Sequence, residues 1–346
     1  MELCVRGHPL HSRLLSVTLA QRADGRLDVF GEILDLRKRG FVPVAGDLQA
    51  AGIVHHMQLR GVVEPGSARL EALCAAQPAV AFEPSALTQG ECCRDPIGRI
   101  QALVGTPLDR GSAKRWFAGA GGPRGCSHVL TLGQLLAATV AWALERDRAA
   151  GPGPRRAGER VFRRDLVIDG FAVEGGDLEL SLQLTDLLFA PSPPLARPID
   201  RLGGELEIRA LARVAMAGMT LARIEASERR RTRVDLAQAR WQDHSEALAP
   251  LVGQKLASGV GGALLRRFGD EPDARPLLDV LLNLTPGLYQ CMAALSERWS
   301  VAALGSESAL GMGGIPDSCF MWRRGGALDL AREKERRAGT PPLLPS

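Results

Sequence analysis

Aromatic side chains make up only 4% of this 346-residue chain, and a single Tyr is among them. Stacked-base recognition needs exposed aromatic platforms, so a nucleic-acid partner is not indicated. Nor is it indicated by charge, since the net +4 is modest and comes from scattered Arg rather than a basic domain. No run of about 18 apolar residues is present to span a membrane. Met1 to Arg13 holds neither an apolar h-region nor a small-residue cleavage site. The seven Cys are odd in number and scattered, with Cys92 and Cys93 adjacent. They make no disulfide framework and fit a reducing, cytoplasmic compartment. Also missing are a phosphate loop, a G-x-G-x-x-G after a strand, a G-x-S-x-G and an H-E-x-x-H.

What is present is an ordinary globular composition, 45% hydrophobic, in which Leu, Ala and Val must fill the cores. The length suits two average domains, and the chain reads as one unit written twice. Arg13 precedes Asp35 by 22 positions, and Arg164 precedes Asp186 by the same 22. Arg69-Leu70-Glu71-Ala72 corresponds to Arg223-Ile224-Glu225-Ala226, and Leu103-Val104-Gly105 to Leu251-Val252-Gly253, each opening a helical stretch. The offset drifts only between 148 and 154, as duplication followed by small indels produces.

Period-two alternation predicts strands at 13–20, 26–35, 51–64 and 68–76, the last two joined by Glu64-Pro65-Gly66-Ser67. Helices are predicted at 94–104, 111–118 and 128–148. The fold class is therefore α+β: a tandem duplication of an antiparallel sheet with helices on one face. Residues 1–150 form the first lobe and 151–300 the second, with Gly151 to Gly158 as linker. Residues 301–346 form a C-terminal extension, expected to be disordered from Ala331. Pro286 is expected to kink the last helix of the second lobe.

The two copies differ in reactive side chains. The first holds His55, His56, Cys92, Cys93, Cys126 and His128. The second has Arg209 and Ala210 opposite the histidines, and residues near Ala274 and Pro276 opposite Cys126 and His128. Strand parity places His55 with Ile53, Met57, Leu59 and Val63 toward the helices, and His56 away from them. Gly125-Cys126-Ser127-His128 precedes the long helix, where unpaired N–H groups and the dipole favour a thiolate of lowered pKa. Cys126 and His128 can reach one ion, with Cys92 or Cys93 as a third ligand and His55 as a fourth. Such a soft and imidazole mixture suits zinc, iron or an iron–sulfur centre. Equally, Cys126 reads as buried filler beside a capping Ser127. Asp35 matches Asp186 in the copy without the reactive set, which assigns it a structural role such as closing a turn. The run Arg229 to Arg233 reads as a solvated face or loop.

His55-His56-Met57 and Gly125-Cys126-Ser127-His128 resemble a bacterial family of unknown function, whose members carry a His-x-Met strand and a Gly-Cys-Thr-His-Leu element. Cys319-Phe320-Met321-Trp322-Arg323 resembles the C-terminal part of its longer members. More distantly, strands followed by a Cys-headed helix, Leu-Val-Gly and a Cys/His pair are similar to the NifU/SufE fold of iron–sulfur scaffold proteins. That resemblance would put Cys93 and the Cys126–His128 pair at its cysteine and His-Cys positions. The scaffold's early Cys-Gly-Asp has no counterpart, and His-Cys becomes Cys-Ser-His.

Three function classes remain. One is a metal- or cluster-binding carrier module. Another is an enzyme on a small organic molecule, with His55 or His128 as acid/base. The third is a scaffold whose two lobes pack as a pseudodimer against a protein partner. A closed apolar pocket beside His55 is what the enzyme class requires.

Overall fold

A computed structural model describes residues 7–41, 43–44, 49–109, 111–151, 153–191, 197–232, 235, 237–302 and 314–338. The alternating segments form eight long strands. They are β1 (His8–Gln21), β2 (Leu27–Arg37), β3 (Gly52–Glu64), β4 (Arg69–Ala79), β5 (Arg160–Ala172), β6 (Leu178–Phe189), β7 (Leu202–Ala215) and β8 (Thr220–Arg231). A two-residue β9 (Gln242–Asp243) follows. The hairpin turns follow from local chemistry. Gly25 takes φ +84° between β1 and β2. The Glu64 carboxylate accepts the Gly66 and Ser67 N–H groups at 2.8 and 2.6 Å between β3 and β4.

All strands join one antiparallel sheet of order β4-β3-β2-β1-β5-β6-β7-β8-β9. Its centre is the β1–β5 pair, with Leu15 opposite Leu166 and Val17 opposite Arg164. One face is apolar. Leu15, Val17, Leu19, Val29, Ile33, Met57 and Leu59 continue into Leu166, Ile168, Leu178, Leu180, Leu182 and Leu184, all buried. Helix α1 (Ser112–Ala120) packs against α2 (Ser127–Ala149), and α2 lies on β1, β2 and β3 of that face. On the rest of the face α3 (Ser245–Leu248) packs on β8, α4 (Gly261–Phe268) on α5 (Arg275–Leu281), α5 on β6 and β7, and α6 (Leu284–Ala302) across the central seam on β1, β5 and β6. Helix contact is close: a Cβ on Gly133 of α2 would lie 2.1 Å from the Trp116 ring of α1. By length and composition α2 is apolar enough to cross a membrane, contrary to the expectation from sequence. Its apolar window is 61% buried, and packing on the sheet accounts for its composition.

The other sheet face is polar. Arg209 and Arg229 both pair with Glu207 at 2.7 Å, and Arg163 with Asp165 at 2.6 Å. Arg229, Arg230 and Arg231 thus lie in β8 rather than in a loop. Such half-exposed pairs contribute under about 1 kcal/mol each.

Four expectations are corrected. Leu103-Val104-Gly105 closes a 3-10 helix, Asp95–Leu103, and does not open one. Leu251-Val252-Gly253 does the same, with Val104 and Val252 sharing φ −61° and ψ 137°. Pro286 lies in the first turn of α6, where its missing N–H has no helical partner to lose. The interruption falls before it, between Leu281 and Leu284. The charged segment after Ala331 is helical, within α7 (Ala327–Ala338). Arg332 anchors it by donating to the Pro43 carbonyl at 2.9 Å and stacking over Trp322 at 4.0 Å. The Pro-rich end lies outside the described residues.

Candidate metal centre in an apolar cavity

The helix-facing side of the sheet turns polar at one end. Strand parity brings His11 and Arg13 of β1, Asp35 and Arg37 of β2, and His55 of β3 to this end, all buried. Arg13 is paired with Asp35 across β1 and β2, and Asp35 with His55 across β2 and β3. Asp35 therefore closes no turn. It accepts two hydrogen bonds from Arg13, at 2.7 and 2.9 Å, and is fully buried.

Three imidazoles converge on this carboxylate. His11 Nε2 lies 3.3 Å from Oδ1, while His128 Nε2 and His55 Nδ1 lie 3.3 and 3.6 Å from Oδ2. The His55 and His128 rings stack at 3.6 Å with 28° between planes. His11 Nε2 and His55 Nδ1 are buried, and neither makes a well-directed hydrogen bond. Among the described residues, one group of metal-ligating side chains has its ligand atoms within 4.8 Å of one another: Asp35, His55 and His128. For bonds of about 2.1 Å, the ligands of a tetrahedral ion stand roughly 3.4 Å apart. The two Asp35–imidazole distances match that spacing.

His128 is delivered by the start of α2. A Cβ on Gly125 would lie 2.0 Å from the Ala120 carbonyl oxygen, so only Gly lets the chain turn here from α1 into α2. Cys126 is the N-cap residue with extended dihedrals, and Ser127 is already helical and makes no cap.

Electrostatics divide the site. Burial pushes the Asp35 carboxyl up, but the Arg13 charge and the close His11 imidazole outweigh it and hold Asp35 well below the usual carboxylate range. Burial lowers His55 to about 4 and His128 well below the usual imidazole range, with the Asp35 charge opposing in both. Burial also lowers His11, against the adjoining Asp35 carboxylate. Neutral imidazoles beside an ionised carboxylate are the protonation states metal ligands need. Arg37 is brought by burial to about 10 and stays charged at neutral pH.

A stability prediction follows from His55. Its folded-state pKa lies below the ordinary 6.5, so the unfolded chain binds the proton more readily and stability falls as pH drops through 6.5 toward 4. The loss expected from His55 alone is about 3 kcal/mol. Asp35 adds a further loss only below the ordinary carboxylate pKa, since its stabilisation is present above that value. Urea unfolding at pH 7, 5.5 and 4.5 checks this; a flat profile would contradict a buried neutral His55.

The four residues expected from sequence, Cys93, Cys126, His128 and His55, all line one cavity of about 350 Å³. The thiols are not in the close ligand group. Burial pushes Cys126 up to about 11, against hydrogen bonds from the Val129 and His128 N–H groups. Desolvation thus outweighs the helix start, and the expected low-pKa thiolate is corrected to a protonated thiol. Cys93 is raised well above the thiol range by burial and by the neighbouring Cys126 and Cys319. The six cysteines among the described residues are free. His56 sits on the other sheet face, 2.7 Å from Glu32.

The cavity walls come from distant parts of the chain. Phe41, Phe82, Met292, Ile315, Phe320 and Trp322 supply apolar surface. From α6, Gln290 reaches His128 Nε2 at 3.2 Å, a contact that a metal ion on that nitrogen would replace. The C-terminal extension forms one wall of the cavity: Phe320 donates its N–H to the Gly125 carbonyl at 2.8 Å, Arg323 pairs with Glu91, and Trp322 packs edge-on against Phe82. Sequence reasoning missed His11, Arg37 and Gln290 and set Asp35 aside.

The second half has a buried ion pair of the same kind. Arg164 donates to Asp186 at 2.7 Å twice and to Asp279 of α5 at 2.6 Å. Asp186 faces Leu206 across β6 and β7. The sheet register thus places Leu206, and not Arg209, at the position His55 holds beside Asp35.

Residues 11–142 match the model of a family described as "Protein of unknown function (DUF2889)". That span holds His11, Arg13, Asp35, Arg37, His55, Cys93, Cys126 and His128, and ends before α5, α6 and the C-terminal extension. No curated protein and no solved structure matches the chain. The N-terminal part of the chain is therefore similar to an uncharacterised domain family.

Proposed function

We propose that the N-terminal site holds one divalent transition-metal ion on Asp35, His55 and His128, and that the protein is an enzyme acting on a small organic molecule in the adjoining cavity. The observation that carries this reading is the position of the ligand group on the wall of an apolar cavity. A carrier has no need of such a cavity, whereas an enzyme must hold substrate and exclude water around a few polar groups. Two imidazoles and one carboxylate leave positions open on the ion, where a substrate oxygen or a water can bind and be polarised. Arg13 and His11 hold the carboxylate in place, as outer partners of metal ligands do.

The second half fits a duplicated unit that kept packing without the site. Arg13 and Arg164, Asp35 and Asp186, His55 and Leu206, and His128 and Asp279 are each 151 positions apart. On this reading the polar pair is retained, while one imidazole became Leu and the other a second carboxylate.

A carrier reading rests on a different observation, the three thiols Cys93, Cys126 and Cys319 on the same cavity wall. Cobalt(II) separates the two. Nitrogen and oxygen ligation gives weak visible bands and no thiolate charge-transfer band. An intense near-ultraviolet charge-transfer band would contradict the Asp35, His55 and His128 site in favour of the thiols.

A further inference from the structure

Among the described residues, buried charge at the polar end of the sheet does not balance. Two guanidinium groups, Arg13 and Arg37, are buried there, and Asp35 is the one carboxylate that pairs with either of them among the described residues. Arg13 takes both oxygens of Asp35. Arg37, 4% exposed, has no ion pair among the described residues. It donates from Nε to the Arg39 carbonyl at 3.2 Å, and from Nη2 to Gln49 Oε1 at 3.3 Å and the Ala50 carbonyl at 3.4 Å. The guanidinium stands 4.8 Å over the Phe41 ring. Its Nη1 has no hydrogen-bond partner among the described residues, and the side chain lines the cavity.

An unpaired buried cation is costly unless a counter-charge joins it. The second half shows how the fold meets that cost internally: Arg164 has two carboxylates, and Leu188 stands two residues beyond Asp186, where the first half has Arg37 beyond Asp35. In the first half the missing counter-charge falls on the cavity side. A metal dication on Asp35, His55 and His128 would deepen the deficit.

We propose that the cavity binds a small monocarboxylate with an apolar, aromatic-sized body, its carboxylate paired with Arg37. The rest of the ligand packs against Phe41, Phe82, Phe320 and Trp322. Arg presents a planar fork that takes a carboxylate in two parallel hydrogen bonds, which fixes the ligand's orientation toward the histidines. A volume of about 350 Å³ sits at the low end of the roughly 300–1,000 Å³ of small-molecule sites, so the acid is compact. The enzyme reading is deepened here and names the substrate class of the same site, but the Arg37 contact does not itself require the metal.

The test is calorimetric titration of the full chain at pH 7 with benzoate and phenylacetate against their neutral amides, benzamide and phenylacetamide, with sodium chloride as an inorganic control. Each is run on metal-loaded and on chelator-treated protein. Acids are expected to bind roughly 10- to 100-fold tighter than amides, the range for hydrogen bonds to charged groups. Arg37→Gln should remove that preference, and Arg37→Lys should retain part of it. Equal binding of acids and amides, no binding of either acid at millimolar concentration, or an acid preference undiminished in Arg37→Gln would each overturn the proposal. Saturation by chloride that leaves the acids no advantage would do so as well. Should Arg37→Gln fail to fold, the acid–amide comparison on the unaltered chain and on Arg37→Lys decides. If no metal binds but chelator-treated protein keeps the acid preference, the metal centre falls and the carboxylate site stands.

Discussion

Asp35→Ala is expected to lower folding stability by about 3–5 kcal/mol, the range for removing one partner of a buried ion pair. Asp35 has no solvent exposure, so the two Arg13 donors it satisfies would face a low-dielectric interior without an acceptor. His11, His55 and His128 would lose the one negative charge they share. Metal affinity should vanish in the same variant. Asp35→Asn keeps the shape and one acceptor, so it should recover part of the stability without recovering the metal. Denaturant unfolding of both variants at pH 7, with metal analysis on the same samples, checks the pairing of effects. A variant as stable as the unaltered chain would show that Arg13 is solvated in a way the burial does not allow.

Arg164→Leu is expected to cost a similar 3–5 kcal/mol or more, because it strands two carboxylates, Asp186 and Asp279, instead of one cation. Burial already raises Asp279 against the pull of Arg164, and losing Arg164 would push it further up. The cost should therefore shrink as pH falls and the Asp279 carboxyl takes a proton. Metal binding at low temperature should be unchanged, since no residue of this ion-pair cluster lines the cavity. Urea unfolding at pH 7 and pH 5 gives the comparison. A loss of stability that did not ease at acid pH would place the damage in packing and not in charge.

Much of the scaffold was legible because it is written in period two. Alternating Leu178 to Leu184 and His55 to Val63 can bury only one face, but the expected place of Ile53 on that face is corrected: a bulge in β3 beside His55 leaves Ile53 57% exposed. Counting outward from the Asp24-Gly25 turn pairs Arg13 with Asp35 directly. That register signal was present in the sequence and would have shown Asp35 to be an ion-pair partner rather than a turn residue. The match to Asp186 pointed elsewhere, because the shared feature of the two halves is the buried pair and the difference lies in what stands around it. His11 lies just upstream of the alternation at 13–20, so the strand pattern carries no signal of its parity with Arg13. What no local pattern could give was the third dimension of the cavity. Gln290 is 162 positions from His128, and Cys319 to Trp322 lie further still, so their approach depends on how α6 and α7 dock. The sign of the Cys126 shift was also beyond reach, since a helix start favours the thiolate locally and burial, a tertiary property, outweighs it.

Equilibrium dialysis of the full chain against zinc(II), with bound metal counted per chain, tests the central claim most directly. The unaltered protein and the Cys93→Ser and Cys126→Ser variants should each retain one equivalent. His55→Ala, His128→Ala and Asp35→Asn should retain none while remaining folded by circular dichroism. A full equivalent in His128→Ala, or loss of metal in the serine variants alone, would contradict a centre built on Asp35, His55 and His128.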